Sequence, residues 1–361
     1  MKKIFLYTYA HCNLGDDLFV KTICERYPQV TFYMECKPEF SNSFDDIKNL
    51  QLLKKNFFYK VGNSIQKLFW RGNGLVDFII KKCDATIILG GSMFIQNSEE
   101  KWRQKAHQLE KLKAKSKSFF VIGANFGPYT TNNFLDSYKN FFAGLDDVCF
   151  RDRKSTLLFK NLPNVRLGSD VVFDVNFPIK EAKRKKLTII PISLHNRDNL
   201  KNIEERYLEK LIEVIRLADK KGYDVTLHSF CKDQGDQIVI DRILSRLKPD
   251  LRKKMTRINY HGNITESLES IAESSLVLTT RFHGMILGWL SGCKVTPISY
   301  DLKMDNLLDD LNLSYLGCKV KDIDCLDSEL IFSNREKGVS LSEIRKLYES
   351  PFKVLDNFID S

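Results

Sequence analysis

The sequence predicts an α/β protein built as two Rossmann-like halves, each a parallel sheet flanked by helices. Three observations carry that expectation. The chain has 361 residues, more than one compact core usually organises. Short apolar runs alternate with amphipathic stretches from end to end, the pattern that βαβ units leave in a sequence. With 43% hydrophobic residues the chain can fill two cores, which excludes disordered, collagen-like and small disulfide-framed classes.

In the first half, Lys3–Ala10, Ala85–Leu89, Ser118–Gly123 and Val148–Asp152 read as strands, with a helix over Glu99–Lys115. The opening MKKIFLYTYAHCN resembles a signal peptide only briefly. Its apolar run stops without a small-residue cleavage site, so it reads as the first strand. In the second half, strand Leu187–Leu194 precedes a helix from Ile203 to Lys220, where Tyr207, Leu208, Leu211, Ile215 and Ala218 recur at helical spacing and Gly222 ends the helix. Strand Asp224–Phe230, helix Asp236–Leu247, strand Arg257–Gly262, helix Ile264–Glu273 and strand Leu276–Thr280 follow, and Asn263 with Glu266 predicts a capping box. The basic run Lys180–Leu187 marks the boundary, giving domains over 1–180 and 187–340 and a C-terminal helix over 341–361 that packs back on the first domain.

Nine cysteines are spread singly, at Cys12, Cys24, Cys36, Cys83, Cys149, Cys231, Cys293, Cys318 and Cys325, with no CxxC pair; this is reduced, cytoplasmic usage. No stretch approaches the roughly 18 apolar residues of a membrane span. The net charge of +10 favours anionic company: phosphorylated metabolites, nucleic acid or an anionic membrane face. The lysine-rich runs lack interleaved aromatics, so no nucleic-acid partner is expected.

In parallel sheets, ligands bind beyond the carboxyl ends of strands, where helix amino termini and loop amides converge. After the first strand come Asn13, Gly15, Asp16 and Asp17; the acids either cap the next helix or handle a proton. After Ala85–Leu89, Gly90, Gly91 and Ser92 form a turn able either to cradle phosphate or to let a neighbouring chain pass. After Ser118–Gly123, Asn125, Gly127 and Pro128 make a stiff turn. After Val148, Arg151 and Asp152 either form a surface pair or send one side chain to a ligand. Arg281 and His283 follow Thr280 at the start of the apolar Met285–Leu290 helix, whose dipole adds to their charge. Either they hold an anion, or Arg281 bridges an acid such as Asp170. Fingerprints for dinucleotides, P-loops and zincins are missing, and no metal cluster is apparent.

The strings NLGDD, ILGGS, GANFGP, FRDRKS, LGSDVVFD and above all TTRFHGMILGWLSGCKVTPISYDLKMDNL resemble, in order and over nearly the whole chain, the polysaccharide pyruvyl transferase family. The resemblance implies a GT-B-like fold, two Rossmann-like domains with parallel sheets facing across a cleft, with the acceptor on the N-terminal side and the donor on the C-terminal side. It implies transfer of the pyruvyl group of phosphoenolpyruvate, a co-substrate, onto two hydroxyls of a sugar as a ketal, in exopolysaccharide, capsule or cell-wall polymer synthesis, with no cofactor. On it, Arg281 and His283 bind the donor, Arg151, Gly90, Gly91 and Ser92 assist, and Tyr300, Asp301 and Lys303 form the polar segment that follows. His283 is also expected to deliver a proton; from their position at a strand end, Asp16 or Asp17 is the candidate base, and Asn13, Gly15 and Asn125 are candidates for the acceptor side or cleft. The acceptor is expected to be lipid-linked or nucleotide-linked, with the enzyme at the inner face of the cytoplasmic membrane.

Two other readings stay open on the residues. A glycosyltransferase using a nucleotide-sugar donor would present a carboxylate to the ribose, for which Glu266, Glu269 and Glu273 are candidates. A non-catalytic sugar-binding relative would lack a cation at the anion site. The aromatic and basic segment Ser41–Gly74, with Phe57, Phe58, Tyr59, Phe69 and Trp70, either recognises the acceptor or packs as helix.

Overall fold

The computed structural model describes residues 1–54, 74–178, 180, 184–195, 197, 199–333 and 340–361. Phe57, Phe58, Tyr59, Phe69 and Trp70 of the aromatic segment lie outside the described residues, as do 181–183 of the basic run. The chain divides into two compact units: unit 1 comprises Met1–His11, Asp16–Asp174 and Arg345–Ser361, and unit 2 comprises Cys12–Gly15 and Val175–Ile344.

Unit 1 is built from β1 (Lys3–Tyr7), α1 (Leu14–Arg26), β2 (Thr31–Cys36), β3 (Leu50–Lys54), α2 (Leu75–Lys82), β4 (Ala85–Phe94), α3 (Glu99–Lys113), β5 (Ser118–Phe126), α4 (Asn132–Ala143), β6 (Asp147–Phe150), α5 (Arg153–Leu158) and β7 (Val165–Leu167). The first residues of α1 cluster with unit 2. The strands form a seven-stranded parallel sheet in the order β3-β2-β1-β4-β5-β6-β7. The apolar runs are continuous because both faces of the sheet are covered. On one face Phe94, Phe126, Phe142 and Phe159 interlock edge to face, with Phe126 and Phe159 4.8 Å apart and Phe94 and Phe142 5.0 Å apart.

Unit 2 contains β8 (Lys186–Ile190), α6 (Glu204–Lys220), β9 (Asp224–Ser229), α7 (Asp236–Arg246), α8 (Pro249–Lys253), β10 (Thr256–Asn259), α9 (Ile264–Ala272), β11 (Leu276–Thr279), α10 (Phe282–Leu290), β12 (Lys294–Ser299), α11 (Leu302–Asp310), β13 (Cys318–Lys319) and α12 (Ser328–Ile331). Its six strands are parallel in the order β10-β9-β8-β11-β12-β13. Tyr207, Leu208, Leu211, Ile215 and Ala218 of α6 are all buried in the core, as their spacing predicts. Gly222, at φ +69, follows the end of α6 in the left-handed conformation of a helix-terminating glycine. The predicted capping box at α9 does not form: Asn263 bonds the Glu266 side chain rather than the helix amides.

After α13 (Leu341–Leu347) the chain ends in α14 (Lys353–Asp360), which belongs to unit 1. There Asp356 takes the Arg26 guanidinium at 2.8 Å and the Tyr27 hydroxyl at 2.6 Å.

Candidate active site

Because every strand of unit 2 points the same way, the segments after β9, β8, β11 and β12 emerge side by side at one sheet edge. The strand order reverses between β8 and β11, where ligands of such sheets bind. Arg281 is the N-cap residue of α10, and His283 lies in its first turn. Thr279 Oγ1 accepts the Arg281 amide at 3.0 Å, which fixes the turn from strand to helix. Gly284 is required there, since a Cβ would stand 2.5 Å from Thr279 Oγ1 and 2.9 Å from Ile190 Cδ1.

The Arg281 side chain is buried and bonded through each of its three nitrogens. Its Nε donates to Asp236 Oδ2 at 3.0 Å, its Nη2 to Asp236 Oδ1 and its Nη1 to Gln234 Oε1. Asp236 Oδ2 also accepts the amides of Phe230 at 2.9 Å and Cys231 at 3.0 Å. Sequence reasoning offered Asp170 as the acid for Arg281. The acid is Asp236, which follows β9 in the same sheet, whereas Asp170 sits in unit 1 and pairs with Arg151.

His283 stands beside the segment Cys12–Gly15. Asn13 bridges Cys231 and the Leu14 amide donates to Phe230 O at 3.1 Å, which places Gly15 so close that a Cβ on it would lie 1.7 Å from His283 Nδ1. Tyr300 follows β12. Asp301 caps α11 through the Met304 amide at 3.3 Å and pairs with Lys303 at 3.2 Å. Burial works against the charged Asp301 carboxylate, yet Lys303 and these hydrogen bonds hold its pKa below the ordinary carboxylate range.

In unit 1, Arg151 is buried. Its Nη1 meets Asp170 at 2.7 Å and its Nη2 meets Asn125 Oδ1 at 2.6 Å, and Asn125 also accepts Ser92 Oγ at 2.9 Å. The network joins Ser92, Asn125 and Arg151 as one polar layer. Arg151 and Asp152 are both buried rather than at the surface, and Asp152 caps α5, accepting the Ser155 amide at 2.8 Å and its hydroxyl at 2.7 Å.

Gly90, Gly91 and Ser92 are not a turn. They continue β4, with Gly90 and Gly91 at φ +63 and +72, and a Cβ on Gly90 would lie 2.3 Å from Phe19 of α1. Asn125 likewise remains in β5, and the chain turns only at Gly127. Asp16 and Asp17 lie inside the first turn of α1 rather than capping it, while Asn13 Oδ1 accepts the Gly15 amide at 3.2 Å. Asp17 is buried against the Ser43 hydroxyl at 2.6 Å, and Asp16 is half-buried beside Gly91.

Sequence reading missed Gln234 and Asp236 as the partners of Arg281. It also missed the aromatic stack of Tyr9 on His11, 4.1 Å between centroids, at the carboxyl end of β1. Alternation within YTYAH was the available signal for the stack; a partner on a non-adjacent strand leaves none. Among the described residues, no three His, Cys, Asp or Glu side chains converge as metal ligands.

A family model described as polysaccharide pyruvyl transferase matches residues 13–301, a span that opens at Asn13 and closes at Asp301. The chain belongs to that family. Membership makes it a transferase of polysaccharide biosynthesis. None of the curated proteins compared with the chain matches it. Among solved structures, Arabidopsis thaliana UGT89C1 complexed with UDP superposes with a TM-score of 0.60 at 12% identity, covering 100% of this chain and 99% of that one. S. aureus MnaA in its UDP co-structure gives 0.58 at 13% identity, over 99% and 96% of the two chains. Anabaena Alr3699/HepE with UDP and glucose gives 0.57 at 9% identity, over 100% and 99%. At these identities the likeness is one of fold, and with the two parallel sheets it makes this member of the family GT-B-like. No helix among the described residues is long and apolar enough to cross a membrane.

Proposed function

We propose that the protein transfers the carboxyethylidene group of phosphoenolpyruvate onto two hydroxyls of one sugar, forming a ketal that carries a carboxylate. The observation that carries this reading is the family match over residues 13–301, whose span holds the Arg281, His283 and Tyr300 segments that emerge together at one edge of the unit 2 sheet. Unit 2 takes the donor in this reading.

Protonation of the donor's methylene carbon creates an oxocarbenium-like centre on the neighbouring carbon. A sugar hydroxyl attacks that carbon and gives up its proton, the bond to the phosphate oxygen breaks, and the second hydroxyl closes the ring with loss of its own proton. In this reading His283, in the first turn of α10, contacts the donor and delivers the proton. For the base we favour Asp16 over Asp17, because Asp17 is buried against Ser43 while Asp16 is half-buried. The ordered layer of Ser92, Asn125 and Arg151 would position the groups around it. The net charge of +10 suits an acceptor carried on a lipid pyrophosphate or a nucleotide at an anionic membrane surface.

Incubation of the protein and candidate sugar acceptors with phosphoenolpyruvate, and separately with nucleotide sugars, tests the reading. We expect phosphate release and an acceptor mass gain of one pyruvyl unit less water, abolished by His283→Ala with the fold intact. Glycosyl transfer instead would overturn it.

A further inference from the structure

Two arginines at the carboxyl edge of the unit 2 sheet are in opposite situations. Arg281 is buried, with its nitrogens taken by Asp236 and Gln234. Those bonds use three of its five N–H donors and hold the guanidinium in one orientation. Arg197, on the segment after β8, is half-buried. Its Nε donates to the Ser193 carbonyl at 3.3 Å, and its Cζ lies 4.4 Å from the centroid of the Tyr300 ring. Among the described residues no carboxylate pairs with it.

These two contacts orient the guanidinium, and among the described residues no hydrogen-bond partner meets its Nη1 and Nη2 edge. That edge is the planar fork that matches a phosphate or a carboxylate with two parallel hydrogen bonds. The Tyr300 ring that carries it belongs to the segment already described: its hydroxyl interacts with Asp301, and Lys303 Nζ lies 5.9 Å from both the Tyr300 and Phe282 centroids. Because β8, β11 and β12 are adjacent and parallel, Arg197, His283 and Lys303 leave the sheet at neighbouring strand ends.

We propose that Arg197 is a further residue through which unit 2 grips a small phosphate- or carboxylate-bearing molecule, in addition to Arg281, which Asp236 holds in place. In naming phosphoenolpyruvate as that molecule, the inference rests on the donor reading given above.

The test is calorimetric titration of the full chain at low salt, with phosphoenolpyruvate and with inorganic phosphate, using the wild type, Arg197→Gln and Arg197→Lys. Loss of a charge-assisted fork should weaken phosphoenolpyruvate binding about 10- to 100-fold in Arg197→Gln. Arg197→Lys should recover part of it, and the thermal unfolding midpoint should stay at the wild-type value. Equal affinity in Arg197→Gln and wild type overturns the inference and leaves the donor reading standing. Arg197-dependent binding of inorganic phosphate without binding of phosphoenolpyruvate supports the anion fork and overturns the donor reading. A wild type that binds neither compound overturns both.

Discussion

Asp236 holds Arg281 through both carboxylate oxygens while accepting two backbone amides, so one buried side chain fixes the β9 loop, the start of α7 and the start of α10 together. Burial pulls the Arg281 pKa down, but the Asp236 carboxylate, and after it Tyr300, more than offset this and hold it above its ordinary value. Replacing Asp236 by alanine leaves a buried cation without its partner and should cost about 3–5 kcal/mol of unfolding free energy, read by urea denaturation. The double variant Asp236→Leu with Arg281→Met should recover much of that loss. A cost below about 1 kcal/mol for the single variant would show that the pair contributes little.

Gly15 makes room for His283. A methyl group there would overlap Nδ1 at 1.7 Å, so Gly15→Ala must displace the imidazole or the start of α1. If His283 delivers the proton as proposed, phosphoenolpyruvate-dependent phosphate release should fall at least about tenfold, since displacement of a reacting group by an ångström is that costly. Wild-type turnover in this variant would remove His283 from the chemistry.

Gly168 admits the returning C-terminal segment. A Cβ on it would lie 2.4 Å from Cys149 Sγ and 3.3 Å from Glu349 O, and the neighbouring Ser169 amide donates to that same Glu349 carbonyl at 3.0 Å. Gly168→Ala should destabilise unit 1 by about 1–3 kcal/mol through overpacking. Limited proteolysis should then cut first near Glu349, and Cys149→Ala should restore part of the stability. Unchanged proteolysis would mean that the segment is held elsewhere.

His228 is wholly buried in β9, bonded to Ser267 at 3.1 Å, and burial followed by repulsion from Lys186 pushes its pKa down to about 3. The unfolded chain therefore binds a proton that the folded one refuses between about pH 3 and pH 6.5, so this residue's contribution is complete above pH 6.5 and is lost as pH falls through that window. Over pH 4 to 6, the slope of unfolding free energy against pH should be smaller in His228→Gln than in wild type by about 1.4 kcal/mol per pH unit. Identical slopes would place a charged or solvated imidazole there.

The strands and helices were legible where burial dictates sequence. In α6 the 3.6-residue spacing marks the buried face directly, and in β8 and β11 the unbroken apolar runs reflect sheets covered on both sides. Gly90 and Gly91 misled because a double glycine signals a turn, whereas here the missing side chains admit Phe19 against a continuing strand. The strand-end positions were legible: Arg281, His283, Tyr300 and Asp301 leave one sheet edge together. The partner choice was not: which acid meets Arg281 depends on strand order, and β9 lies two places from β11 in the sheet although both loops reach the same point. Arg197 carries no periodic signal at all, since its role comes from the Tyr300 ring a hundred residues on.

The central claim is that the β8, β11 and β12 ends of unit 2 bind phosphoenolpyruvate. Its most direct test is a crystal structure of the protein soaked with that compound. Electron density for the donor is expected within hydrogen-bonding distance of His283 and of the Nη edge of Arg197. Density for the compound at another surface, with this one unchanged, would contradict it.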